Sequence, residues 1–298
     1  MSNHKDDQPD VPDASDIKRI LDYDYPDIQK HLIEEAAKKA SQETGEEIDP
    51  YEPYYTTDAK GQRILHMSFD SWWLREYDER DVLLGLPGIS ILHTQHWTAG
   101  SAAATIYDAY QREGAGCFSE EDILAHIERF PQGQFVAIRT GGPGAGNAVG
   151  MASAMRTSRP PTAPVLPWVE AIGDYQLAAH EPEGDWLYGV EVAVNPIYRR
   201  KGIGTALYKV RFDLARALNL RGWYAVGMLM GYHDYAEQMD VREYGQKVIA
   251  REIKDPTVTM QMNRGFRAVK VVTDYDDEPQ AGDAGVLIVW ENADYSAR

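Results

Sequence analysis

Apolar and polar positions recur along this chain with two different periods, and each change of period marks an element. From 186 to 194 nearly every position is apolar, the pattern of a strand buried on both faces at the centre of a sheet. From Ile203 the period changes. Ile203, Ala206, Leu207, Val210, Leu214, Ala217 and Leu218 follow the i, i+3, i+4, i+7 spacing of one buried helix face, and Lys209, Asp213 and Arg216 fall on its wet side. Asn219 and Gly222 supply stop signals, and Trp223-Tyr224-Ala225-Val226 opens a strand running to Met230. The three segments make a βαβ-like unit.

The same reading predicts a first strand over 89–93 after Pro87-Gly88, then helices over 102–111 and 120–129. Ser119 caps the second in a Ser-x-x-Asp pattern. Strands over 135–139 and 148–155 flank a glycine-rich hairpin turn at 141–146. A proline-rich loop at 160–167 and a long connection lead to the central strand. After it come a helix over 241–253, a short helix opening at Pro256 and closing at Gly265-Phe266, and strands over 268–272 and 286–290 around an acidic loop. Upstream, Ile28, Leu32, Ile33, Ala36, Ala37 and Ala40 share a helical face ended by Gly45. Leu65, Phe69, Trp72, Trp73 and Leu74 are too apolar for a free tail. The chain therefore divides into an N-terminal extension, 1–87, partly disordered and partly helical, and a domain over 88–298. The extension is expected to pack on the core or on a second copy of the chain, as a homodimer.

Composition narrows the function. The 298 residues carry a formal charge of −17, which argues against nucleic acid or an anionic membrane as the main partner. No apolar run approaches the ~20 residues that span a bilayer, and the first residues lack a signal-peptide core. The single cysteine, Cys117, forms no intrachain disulfide and suits a cytoplasmic protein. His93-x-x-His96 has metal spacing without further ligands nearby, so no metal is expected.

Against that acidity, Arg199-Arg200-Lys201-Gly202-Ile203-Gly204-Thr205 stands out between the central strand and its helix. A helix start leaves backbone N–H groups unpaired and a partial positive charge, and glycines let a ligand approach closely. Together with the cations this makes a phosphate site. A Walker loop would need Gly-Lys-Ser/Thr, but the lysine here precedes the glycines. A dinucleotide fingerprint would need a third glycine where Leu207 stands. What remains is Arg-x-x-Gly-x-Gly, preceded by Ala-Val-Asn-Pro-x-Tyr.

These residues resemble the signature of the GNAT superfamily, the CoA-dependent N-acyltransferases. Phe130-Pro131-Gln132-Gly133-Gln134-Phe135, Gly231-Tyr232-His233, Asp255-Pro256 and Asn263-Arg264-Gly265-Phe266 look most similar to members joined to carbon–nitrogen hydrolases. The resemblance runs from about 88 to 292. It implies an α/β (α+β) GNAT fold: a mixed, mostly antiparallel sheet flanked by helices, here with a helical N-terminal extension. It also implies acetyl-CoA or CoA as co-substrate and a small-molecule or peptide amine as acceptor. Amides from Arg200 to Thr205 would hold the pyrophosphate, with Arg199 and Lys201 adding charge, and the backbone of Val192, Ala193 and Val194 would pair with the pantetheine arm.

Direct attack on the thioester needs a neutral amine. Deprotonating a group of pKa ~10.4 at pH 7 costs roughly 4–5 kcal/mol, which a base must offset. Glu191, the only charge in the run 187–194, is the candidate base, since a carboxylate there should have a raised pKa. The bland reading is a structural carboxylate. In many family members a tyrosine four residues before the Gly-Phe protonates the leaving thiolate; here that position is Gln261. Tyr232 and His233 are the substitute candidates, against a loop that only shapes a pocket. The alternative function is a non-catalytic CoA-binding or protein-interaction module of the same fold.

Overall fold

The central strand, Trp186–Val194, holds together a twisted eight-stranded sheet in a computed structural model. Residues 77–110, 117–141 and 145–297 are described throughout, as are a few positions between 37 and 48 and the backbone of 54–57 and 63–66. Two strands, Tyr54–Thr57 (β1) and Arg63–His66 (β2), pair antiparallel in a sheet of their own. The large sheet comprises Leu84–Leu86 (β3), Ile89–His93 (β4), Gln134–Arg139 (β5), Ala148–Thr157 (β6), Trp186–Val194 (β7), Gly222–Met228 (β8), Arg267–Val272 (β9) and Gly285–Glu291 (β10). Its order is β3-β4-β5-β6-β7-β8-β10-β9, and every pair is antiparallel except β7–β8.

Among the described residues, these helices cover it: Ala99–Tyr110 (α1), Glu120–Arg129 (α2), Trp168–Ile172 (α3), Ile203–Ala217 (α4), Val241–Ile249 (α5) and Val258–Asn263 (α6). The alternation of side chains along each strand sorts them onto two faces. On one, Ala102, Ile106 and Ile123 of α1 and α2 pack with Val136, Met151, Tyr188 and Leu287. On the other, Tyr208, Tyr244, Val248 and Met262 of α4, α5 and α6 pack with Leu187, Trp223 and Ile288. Of the helix face counted from the sequence, Ile203, Ala206, Leu207 and Val210 are buried in α4, Leu214 and Leu218 are half-buried, and Ala217 is exposed because Ala215 takes the inward position in the last turn.

Several boundaries differ from the pattern. The sheet begins before residue 88, because β3 pairs with β4 across Pro87-Gly88, with Gly88 at φ +67. Proline followed by a left-handed glycine is a tight turn. α3 lies inside the stretch read as a connection and is too short to show a period. α5 stops at Ile249 because Arg251 turns left-handed at φ +62, so Ile253 packs from a turn. The predicted upstream helix falls mostly outside the described residues, apart from helical positions 37–39 and 41–42, as do 142–144 of the hairpin turn.

Candidate active site

β7 and β8 pair only at Trp186↔Gly222, Leu187↔Trp223 and Tyr188↔Tyr224. Beyond that point β8 keeps its antiparallel partner β10, while β7 keeps β6. The two parallel strands therefore open a gap between 189–194 and 225–228. The register of β7 explains it. Ser153 faces Glu191 but Ala154 faces Gly189, so Val190 is an extra, bulged residue. A bulge bends its strand and re-aims side chains. Val190 packs in the core on the α1 face, and the next residue, Glu191, reaches α1 as well: the Tyr110 hydroxyl donates to its Oε1 at 2.8 Å. Groups from both faces then occupy the backbone that β8 has left. The Trp168 indole N–H donates to the Val190 carbonyl at 3.2 Å, and Arg211 of α4 reaches the Glu191 carbonyl at 3.4 Å.

Glu191 is half-buried, and its Oε1 also accepts the Val192 N–H at 2.7 Å. Burial raises its pKa to about 7, against the lowering effect of the Tyr110 and Val192 hydrogen bonds; Asp276 raises it further and Arg211 lowers it. A carboxyl group poised near neutrality can take up and return a proton. Tyr110 is itself pushed well above the usual phenol range by burial and by the neighbouring Glu191 charge, so it stays a donor. Arg211 is fully buried between the Tyr208 and Trp223 rings, at 4.6 and 4.5 Å, and burial lowers it to about 10, still charged at neutral pH.

Past Val194, Asn195 caps a short turn with its side chain accepting from Ile197 N–H, while its amide donates to Asp108 at 2.7 Å. Arg200 at φ +63 and Gly202 at φ +84 are both left-handed. Such alternation turns successive N–H groups toward one point. Ala206 N–H is bonded to the Gly202 carbonyl, so Ile203, Gly204 and Thr205 amides open α4 ahead of that first bond. A Cβ built on Gly204 meets nothing within 4 Å, and its φ is ordinary. The protein fold itself therefore does not require glycine there.

The predicted residues fare unevenly. Glu191 and Val192 lie at the gap, with Val192 N–H held by the carboxylate. Val194 also presents its backbone there, its carbonyl accepting from Arg199. Ala193 stands between them, opposite Met151 in the β6 ladder, with its side chain buried. Arg199 spends its guanidinium on the Val194 and Ala109 carbonyls, tying β7 to α1. Arg200 is exposed, and Lys201 lies over the Tyr198 ring at 5.3 Å. Tyr232 donates to the Met239 carbonyl and packs on Tyr244. His233 is exposed, bonded to the Met230 carbonyl and paired with Asp234. Neither bonds Glu191. Gln261 is buried and donates to the Tyr208 hydroxyl at 3.0 Å. Pattern reading missed Tyr110, which lies 81 positions from its partner in the chain.

On the α1 face, at the closed end of the gap, a small cleft opens beneath the proline-rich segment, walled by Met155, Pro161, Val165, Tyr188, Tyr224 and Val226. Tyr188 and Tyr224 turn their hydroxyls onto Tyr275 and the Arg159 carbonyl, which leaves their rings as apolar walls. Among the described residues no cluster of His, Cys, Asp and Glu could hold a metal, and no helix is long and apolar enough to cross a membrane.

Residues 103–230 match the family model described as the acetyltransferase (GNAT) family. Among curated proteins, the chain is 35% identical over 179 residues to the probable hydrolase YhcX of Bacillus subtilis (strain 168), covering 60% of this chain and 34% of that one. It is 28% identical over 178 residues to the uncharacterized N-acetyltransferase YkwB of the same organism, covering 60% and 76%. The match thus spans about a third of the hydrolase relative, as 34% of its length. Among solved structures, the loading GNATL domain of CurA from Lyngbya majuscula aligns with TM-score 0.58 at 18% identity, over 68% of this chain and 97% of that one. The GphF GNAT-like decarboxylase in complex with isobutyryl-CoA aligns with TM-score 0.57 at 19% identity, over 67% and 98%. At that identity the likeness is one of fold.

Proposed function

We propose, from the premise that this chain carries a domain of the GNAT superfamily and its fold, that it transfers an acyl group from acyl-CoA to a primary amine within a ternary complex. The observation that carries this reading is the meeting of two features at one gap. A carboxyl group with pKa about 7 sits where β7 leaves β8, and a helix start with open amides lies one turn beyond the same strand. The first suits proton transfer and the second suits a diphosphate.

In this mechanism the amides of the loop 200–205 hold the coenzyme, and the Val192 and Val194 backbone guides its arm into the gap. Glu191 accepts the proton of the attacking amine. A protonated carboxyl is a poorer acceptor than a carboxylate, so its hold on Val192 N–H weakens as the tetrahedral oxyanion forms. That N–H is then available to the oxyanion. The leaving thiol has an ordinary pKa of ~8.5, above that of Glu191, so the same carboxyl can return the proton to sulfur. A separate acid at the Gln261 position becomes unnecessary. Tyr110 holds Glu191 in place, and Tyr232 and His233 shape the loop beside β8.

The test is release of free thiol from acetyl-CoA and longer acyl-CoAs against a panel of amines, with wild type and Glu191→Gln. Turnover lost in the variant with coenzyme affinity kept supports the assignment; equal turnover in both refutes it. One observation favours a second reading, a CoA-binding module without catalysis: Gln261 is buried and bonded where a tyrosine is usual in the family. Coenzyme binding with no thiol release from any donor and amine would favour it.

A further inference from the structure

Arg199, the first cation of the loop, donates to the Val194 and Ala109 carbonyls through Nε and Nη2. A cation outside the motif stands beside the same helix start. Arg264 follows α6, and its Nη2 donates to Thr205 Oγ1 at 2.7 Å, in the first turn of α4. Its Nη1 donates to the Met260 carbonyl at 3.1 Å, and its plane lies over the Tyr208 ring at 5.2 Å. Its Nε is buried and finds no partner. Burial lowers its pKa from the usual guanidinium value, partly offset by Tyr208.

A guanidinium pinned beside the positive end of a 15-residue helix is repelled by that end. An anion seated between the two converts the repulsion into two attractions. The Thr205 hydroxyl, exposed and already accepting from Arg264, keeps its own hydrogen to donate to such an anion. We propose that Arg264 contacts the diphosphate of the coenzyme from the α6 side of the α4 N-terminus and adds its charge to that of the cations of the loop. This rests on the coenzyme reading above and adds to it a specificity-determining contact from a different part of the chain.

The experiment is calorimetric titration of the full chain with CoA, dephospho-CoA and pantetheine, comparing wild type with Arg264→Gln, Arg264→Lys and Arg199→Gln, alongside their melting temperatures. A lost charge-assisted hydrogen bond predicts that Arg264→Gln weakens CoA and dephospho-CoA alike, roughly ten- to a hundredfold, with Arg264→Lys in between. Pantetheine, which lacks the diphosphate, should bind wild type and both variants equally. Arg199→Gln should lower the melting temperature more than it weakens CoA. Unchanged CoA affinity in Arg264→Gln overturns the proposal. So does an equal loss for pantetheine, which would mark a structural role, or a loss confined to CoA, which would place the contact at the 3′-phosphate. Failure of wild type to bind CoA would instead overturn the underlying coenzyme reading.

Discussion

The two ends of the free stretch of β7 solve opposite problems. At Glu191 a charge is held inside the protein by groups from far along the chain: Tyr110 from α1, Arg211 from α4 and the field of Asp276. At 199–205 the useful groups are backbone amides on an exposed turn, shaped by left-handed Arg200 and Gly202 and by the start of α4. The first end is costly to the fold and tuned by burial. The second is cheap, and its amides are aimed by local conformation. A binding loop can thus be written in seven consecutive residues, whereas a poised carboxyl group needs the whole sheet to be assembled.

The sharpest way to break this contrast is Glu191→Gln. Removal of a general base predicts a fall in kcat of roughly a hundred- to ten-thousandfold, with the calorimetric Kd for acetyl-CoA unchanged. In wild type, kcat/KM at saturating acyl-CoA should rise with pH through about 7 as Glu191 loses its proton. The glutamine variant should lack that limb. An equal loss of coenzyme affinity in the variant would mean that the two ends are one structural unit.

Gly204→Val probes the other end. The site has open space and an ordinary φ, so the melting temperature should hold. A ligand that passes over Gly204 should bind at least about tenfold more weakly, a loss of about 1.4 kcal/mol. A variant that binds CoA as well as wild type would move the ligand away from this turn.

Tyr110→Phe should have a smaller effect. The Tyr110 hydrogen bond favours the charged carboxylate, so its loss raises the Glu191 pKa. The acidic limb of the pH–rate profile should shift upward by about one unit, the size expected for a hydrogen bond to a charged group. A limb that stays in place would show that Tyr110 does not hold the base.

The smallest effect is on stability. The folded state binds the Glu191 proton more tightly than the unfolded chain does, so this group's contribution to stability falls as pH rises from the ordinary carboxyl range to about 7. Denaturant titrations should show Glu191→Gln gaining on wild type across that window, by at most about 3 kcal/mol. A constant difference from pH 5 to pH 8 would contradict the raised pKa.

How much of this the sequence disclosed follows the same division. The 3.6-residue period of α4, the central strand and Arg-x-x-Gly-x-Gly are local, and reading them correctly placed the loop between β7 and α4. Glu191 also stood out, as the lone charge in an apolar run. Its partners did not, since Tyr110 looks like one more tyrosine at the end of a helix. The bulge at Val190 left no mark in the pattern, because both faces of a central strand are apolar and a one-residue slip changes nothing visible. The bonds of Arg199 to the Val194 and Ala109 carbonyls were hidden for a related reason, since Ala109 lies 90 positions away in the chain. Arg264 stands out in the sequence only by its place before Gly265-Phe266, and its meeting with Thr205, 59 positions away, is a product of folding.

The most direct test is calorimetric titration of the purified full chain with CoA. Saturable binding of one equivalent at micromolar strength is the predicted result, competitive with acetyl-CoA and weakened by Gly204→Val. No heat at millimolar CoA would contradict the account at its foundation.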